Sequence, residues 1–258
     1  MRRSPVVACL RFLSVFAVLA LAGCSPQPPP QDPAGGRQDE AAYFPPVSAD
    51  RFQSVGPDTE ITGLAAAGAR VQLTRPGGER LTVEADAEGR WRLQVTGGAP
   101  MVFGLSQVVQ GRTLQAEGYV FHSPATGGWL LRAGAAARPL GDAGRQTLVV
   151  DYDRRGGTII SGQAPPEGLF VAQINGRRAG EGRSDVSGRF EIRLNGPVPM
   201  GESRLRVFGE GLNREMVLRL SSPAPLVEGP VRVTPQIGGS RIDWMTPGGG
   251  VQSTQVLP

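Results

Sequence analysis

Apolar residues return at every second position in short runs through most of this chain. Val71 and Leu73, Leu81 and Val83, then Trp91, Leu93 and Val95 alternate with Gln, Thr, Glu and Arg. Leu114, Ala116 and Val120 continue the pattern. Further on, Phe190, Ile192 and Leu194 alternate with Arg189, Glu191 and Arg193, and Leu205, Val207, Met216, Leu218 and Leu220 do likewise. A period of two sends successive side chains to opposite faces of a strand, one dry and one wet. Gly and Pro interrupt the runs about every 8–12 residues, as in sandwiches of antiparallel sheets. Asn175-Gly176 has the composition of a two-residue hairpin turn. No stretch after residue 24 keeps a helical period for two turns, so the chain is expected to be all-β.

The runs fall into two copies. Ile61-Thr62-Gly63-x-Ala65 matches Ile160-Ser161-Gly162-x-Ala164, and Asp86-Ala87-Glu88-Gly89-Arg90-Trp91 matches Asp185-Val186-Ser187-Gly188-Arg189-Phe190. Ser123-Pro124-Ala125 matches Ser222-Pro223-Ala224, and all three pairs share one offset of 99 residues. Repeated matches at one shift indicate two copies of one fold. Asp86 and Asp185 are expected to accept backbone hydrogen bonds in a turn that Gly89 and Gly188 close with positive φ. Trp91 and Phe190 are expected in the cores.

Gly-x-Ala at the start, a pair of alternating strands, then Asp-x-x-Gly-x-aromatic-x-aliphatic resembles the bacterial Ig-like and carboxypeptidase-regulatory-like repeats of exported proteins. The resemblance covers about half of the chain and implies two tandem Ig-like sandwiches with little said about function. Some surface domains of this broad type carry a lysine–asparagine isopeptide bond. This chain has no lysine and cannot make one. The domains expected are 57–125 and 147–224, joined by a linker over 126–146 with an apolar knot at Trp129-Leu130-Leu131. Residues 225–258 are expected to form a Pro-punctuated connector and a hairpin with Ile242 and Trp244 on one face. An isolated hairpin is barely stable in water, so this one should dock at home or on a partner.

Upstream, Arg2, Arg3 and Arg11 precede the apolar run Phe12–Leu21 and the small residues that lead to Cys24. A charged start, a short apolar core and small residues describe an export signal. That core is shorter than the roughly 20 residues a spanning helix needs. Leu21-Ala22-Gly23-Cys24 resembles the lipobox of bacterial lipoproteins. The resemblance implies cleavage after residue 23, a diacylglycerol on the Cys24 thiol and an acyl chain on its amine. Ser25 then implies delivery to the outer membrane. Residues 24–56 are rich in Pro, Gln, Gly and Asp and read as a semi-stiff tether, with Tyr43-Phe44-Pro45-Pro46 where it meets the first domain.

Charge changes the picture once the signal is set aside. The full chain carries a net +4, all of its basic residues being arginine. Removing residues 1–23 takes three of them and leaves 24 basic against 23 acidic side chains. A nearly neutral protein offers no electrostatic footprint for nucleic acid. Cys9 falls in the signal and Cys24 at the lipid site, so the folded part has neither thiol nor disulfide.

Candidate chemistry is sparse. His122 is the sole histidine, which denies Ser-His and Cys-His catalysis and most zinc sites their parts. Asp151 and Asp153 sit two apart, hence on one strand face, with Asp142 nearby in sequence. Arg154 and Arg155 are expected to neutralise the pair, and calcium needs a denser set of oxygens. No metal, cofactor or catalytic residue is expected beyond the lipid on Cys24. Arg193, Arg204 and Arg206 could converge on one polar face and, with Arg177 and Arg178, are candidates to hold an anionic ligand, the favoured alternative being a solvated face with Glu191, Glu202 and Glu210 as carboxylate neighbours. Trp129 and Trp244 are candidate platforms for sugars, the favoured alternative being wedges between the domains. These readings describe a lipid-anchored, non-enzymatic envelope protein that meets polysaccharide or a protein partner. One alternative is an accessory factor for surface assembly that lends or accepts a strand through the hairpin from Ser240 to Leu257. A carboxylate-based glycan hydrolase is the less favoured alternative.

Overall fold

Each alternating run becomes a strand. In the computed structural model, which describes residues 44–97, 99–141 and 147–257, nineteen strands and no helix occur among the described residues. Residues 1–43, with Cys24 and most of the expected tether, lie outside the described residues, as does Asp142. The first copy supplies β1 (Ser48–Val55), β2 (Asp58–Leu64), β3 (Arg70–Thr74), β4 (Arg80–Glu84), β5 (Arg90–Thr96), β6 (Met101–Val109) and β7 (Arg112–Ser123). They are followed by β8 (Gly127–Leu131) and β9 (Arg138–Leu140). The second copy supplies β10 (Leu148–Asp153), β11 (Thr158–Gln163), β12 (Leu169–Ile174), β13 (Arg177–Arg183), β14 (Arg189–Arg193), β15 (Gly201–Gly209) and β16 (Leu212–Leu220). The chain closes with β17 (Val231–Gln236), β18 (Gly239–Met245) and β19 (Val251–Leu257).

Both copies have the same topology. Three strands, β1-β2-β5, face four, β4-β3-β6-β7, and in the second copy β10-β11-β14 face β13-β12-β15-β16. The paired motifs of the sequence are two halves of one local structure. Ala65 N–H donates to the Gly89 carbonyl at 2.8 Å, and Ala164 N–H to that of Gly188 at 2.8 Å. Asp86 Oδ1 accepts from the N–H groups of Glu88 and Arg90, and Asp185 Oδ1 from those of Ser187 and Arg189. Gly89 and Gly188 sit at φ +80° and +81°, where a side chain is strained. Gly63 and Gly162 make room for an aromatic ring: a Cβ there would come within 2.8 Å of Trp91 and 3.0 Å of Phe190.

Additional strands turn the two sandwiches into one stack. β8 and β9 extend the first copy's four-stranded sheet to six, and β19-β18-β17 extend β14-β11-β10 to six. Three cores link the four sheets in series. The first, with Ile61, Trp91, Phe103 and Val120, lies between the sheets of the first copy. The last, with Val150, Ile160, Phe170, Phe190 and Leu205, lies between those of the second. The middle core joins the two copies through Phe121, Trp129 and Leu131 on one side and Val149, Ile242 and Trp244 on the other. The two middle sheets are therefore dry on both faces where they meet. β10 reads Leu-Val-Val-Asp-Tyr-Asp without alternation because five of its six residues are buried.

Three stretches differ from expectation. β1 lies in the range read as tether: Val47 is buried and Gln107 Nε2 donates to the Pro45 carbonyl at 2.6 Å. Residues 126–146 supply β8 and β9, with Trp129 and Leu131 facing the middle core and Leu130 the first. The C-terminal segment is a three-stranded meander whose β19 pairs antiparallel with β10 from Leu148↔Leu257 to Asp153↔Gln252. The apolar face of a hairpin needs cover, and here Phe121 and Trp129 of the first copy provide it.

Candidate functional site

The outer face of the β13-β12-β15-β16 sheet is the polar surface where the arginines were expected. Along β15, Ser203, Leu205 and Val207 are buried, so Arg204 and Arg206 point outward by alternation. The Asn175-Gly176 turn reaches the same surface, its Asn175 Oδ1 accepting from Arg204 N–H at 2.8 Å. A shallow groove of about 610 Å³ lies here, lined by Gln173, Asn175, Arg204, Arg206 and Glu215. Its charges are largely matched. Arg204 approaches Glu215 at 3.4 Å, Arg219 approaches Glu202 at 3.1 Å, and Arg178 pairs with Glu181. Arg206 lies over the Phe208 ring at 4.8 Å and donates to Asn213 Oδ1 at 3.1 Å. Exposed ladders of this sort contribute little to stability.

The candidate convergence of all the arginines does not occur. Arg193 is on β14, in the other sheet, and donates to the Gly134 carbonyl at 3.3 Å. Arg177 is exposed at the start of β13. The separation follows from the sandwich itself, which puts β14 and β15 in different sheets.

The indoles are not sugar platforms, because both are buried to 1% exposure in the middle core. Trp129 Nε1 donates to the Thr126 carbonyl at 2.8 Å, and Trp244 Nε1 to Thr254 Oγ1 at 3.4 Å. Where that core reaches the surface, a cleft of about 380 Å³ opens beside Val102, Tyr119, Pro230 and Met245.

Asp151 and Asp153 part company. Asp151 is buried at the junction of the two copies. Its Oδ2 accepts from Ala137 N–H at 2.8 Å, and its Oδ1 from Thr254 Oγ1 at 2.5 Å and Gln252 Nε2 at 3.5 Å. Burial pushes its pKa up to about 6 against those hydrogen bonds. Asp153 closes a turn, accepting from the N–H groups of Arg155 and Gly157. Arg154 does not neutralise the pair but donates to the Pro223 carbonyl at 2.8 Å. No group of three His, Cys, Asp or Glu side chains suited to a metal occurs among the described residues.

His122 stacks on Phe52 with ring centroids 5.0 Å apart, and burial lowers its pKa. The turn carboxylates are lowered too. For Asp185 the Ser187 hydroxyl is the largest cause, ahead of the Arg189 N–H. For Asp86 desolvation pulls upward but is outweighed by the Arg90 and Glu88 N–H groups and the Arg90 charge.

Sequence reasoning missed a second buried carboxylate. Asp243 accepts from Arg232 at 2.9 Å, Arg241 at 3.1 Å and Ser253 Oγ at 2.6 Å. Arg241 also donates to Ser221 Oγ, and Arg232 to the Ala224 carbonyl at 3.0 Å, so the cluster pins the connector between β16 and β17. An Arg-x-Asp dipole on one strand was visible in the sequence; its burial depends on β17 and the connector folding over it.

The chain is thus an all-β protein of two Ig-like sandwiches fused through a third core. No protein-family model matches it, and no curated protein does. Among solved structures it is similar to the central fibronectin-III array of RIM-binding protein, at 15% identity and TM-score 0.27 over 78% of this chain and 71% of that one. The BSP domain of a biofilm-associated protein is similar at 9% identity and TM-score 0.24, over 70% of this chain and 30% of that one. Invasin, described as a bacterial integrin-binding protein, is similar at 10% identity and TM-score 0.21, over 83% and 54%.

Proposed function

We propose that this chain is a lipid-anchored, non-catalytic protein of the bacterial cell envelope. It is held by acyl chains on Cys24 to the outer membrane and presents its fused sandwiches to envelope polysaccharide or to a protein partner. The observation that carries the reading is Leu21-Ala22-Gly23-Cys24 behind a charged start and a short apolar run. Several features support it. Among the described residues the first buried side chain is Val47, and the sequence between Cys24 and that position is rich in Pro. Asp151 is committed to the junction and Asp153 to a turn, which leaves a glycan hydrolase without its carboxylate pair.

Strand exchange with a partner is less favoured. β19 is flanked by β10 and β18, so the hairpin has no free edge to lend on that side. The outer strand β17 carries Pro235, which lacks an N–H donor, and β1 has a register shift between Ala49 and Arg51. Proline and bulges are devices that keep edges from pairing.

Labelled palmitate tests the anchor. It is expected to enter the wild-type chain and to be absent from Cys24→Ser, which should leave the membrane fraction. A wild-type chain that takes up no label, with Cys24→Ser still sedimenting with membranes, would overturn the reading.

A further inference from the structure

The two buried carboxylates of the C-terminal half are served differently. Asp243 has two guanidinium groups within 3.1 Å. Asp151 has only neutral donors: one backbone N–H, one hydroxyl and one amide. Those donors belong to the joint between the copies. Ala137 lies at the end of the loop that links β8 to β9, and Thr254 and Gln252 lie on β19. Gln252 reaches into the same loop, accepting from Gly134 N–H at 2.9 Å and donating to the Arg132 carbonyl at 3.1 Å. One carboxyl and one amide thus hold the loop of the first copy against the sheet of the second.

We propose that Asp151 is a proton-operated clamp: with its carboxyl protonated, β10 and β19 grip the β8–β9 loop more tightly than with it ionised. The hydrogen-bond arrangement accommodates both states. A neutral carboxylic acid keeps Oδ2 as acceptor for Ala137 and turns Oδ1 into a donor to Thr254 Oγ1, which uses one lone pair for Trp244 Nε1 and has a second for the acid once its own hydrogen turns away. An ionised carboxylate keeps every bond but leaves a buried charge with no opposite charge against it, which costs more than burying the acid. A cavity of about 50 Å³ lies against Asp151 and is lined also by Asp153, Arg193 and Gln252.

The charged groups around the clamp do not cancel this effect. Glu191 on β14 raises the carboxyl's affinity for a proton and is itself tied to Arg132 at 3.2 Å. Arg193 on β14 donates to the Gly134 carbonyl, and Asp153 on β10 is engaged by backbone N–H groups. β19 and β18 bring Gln252, Thr254, Ile242 and Trp244 to this face, all uncharged. Because the folded pKa is raised above 3.8, the clamp is strongest below that value and weakens as pH rises through about 6. His122 has the opposite sign, since burial lowers its pKa and protonation in acid opposes folding.

Amide hydrogen exchange of the full chain, at about pH 5 and about pH 7.5 and corrected for intrinsic rates, reads the clamp directly. The Ala137 and Gly134 amides are expected to be more protected at the lower pH by roughly tenfold, since about one pH unit of the shift lies between these two values. Amides of β2 and β5 should not change, and Asp151→Asn should abolish the difference. Direct carbon-13 titration of the wild-type carboxyl covers the case in which Asp151→Asn does not fold, and its midpoint is expected near 6. Equal protection at both pH values, a difference that persists in Asp151→Asn, or an Asp151 midpoint near 3.8 would each overturn the proposal.

Discussion

Tyr119 on β7 and Trp244 on β18 meet edge to face, with ring centroids 6.0 Å apart and planes at 74°. One ring belongs to the first copy and the other to the C-terminal meander, so this contact spans the two sandwiches. Edge-to-face pairs add about 0.5–1.5 kcal/mol beyond the area they bury.

Trp244→Ala should therefore act on the joint. It empties the centre of the middle core and is expected to cost about 3–5 kcal/mol in chemical denaturation. Protease should then cut within 132–147 faster than in the wild type. Tyr119→Leu keeps most of the apolar area and should cost about 1 kcal/mol. Equal losses for the two variants would show that the indole is not the anchor of this core.

Asp243→Ala removes the one carboxylate that serves both Arg232 and Arg241. Arg241 is left buried without a counter-charge, and the expected loss is about 3 kcal/mol or more. Replacing all three residues together with apolar ones of similar size should cost less than Asp243→Ala alone. Equilibrium denaturation of the two variants decides this.

Gly89→Ala and Gly188→Ala are expected to behave as a pair. Both combine positive φ with a Cβ that would run into a backbone carbonyl, that of Ala65 or Ala164. Each should cost about 1–3 kcal/mol. Gly176→Ala supplies the contrast, since φ is +79° there but nothing lies within 4 Å of the added carbon. Its loss, read from thermal unfolding, should be the smaller.

Asp185 sets part of the acid limb. Its pKa is lowered in the folded chain, so its contribution is present above the ordinary value of 3.8 and is lost as pH falls through the lowered value. Asp185→Asn is expected to flatten the loss of stability below about pH 4. A limb unchanged from the wild type would exclude Asp185 as a source.

The strands of both copies were legible because alternation reports burial on one face. Trp91 and Phe190, the two Asp-x-x-Gly turns and the partners of Gly-x-Ala all follow from contacts within one copy. The outer face of β15 was legible for the same reason, and Arg204 and Arg206 lie where alternation puts them. Arg193 was misplaced because alternation orients a side chain on its own strand but does not say which sheet the strand joins.

What the amino-acid order determined by itself is local: period-two strands, turn chemistry, a repeat at one offset and the motif at Cys24. The tertiary structure alone decided that β8, β9 and β17–β19 continue the two middle sheets, because pairing β19 with β10 joins residues a hundred positions apart. It also decided the roles of Trp129, Trp244, Asp151 and Asp243. Each of these side chains is polar or apolar in the sequence, yet its burial depends on a second sheet arriving to cover it, and no local pattern encodes which face will be covered.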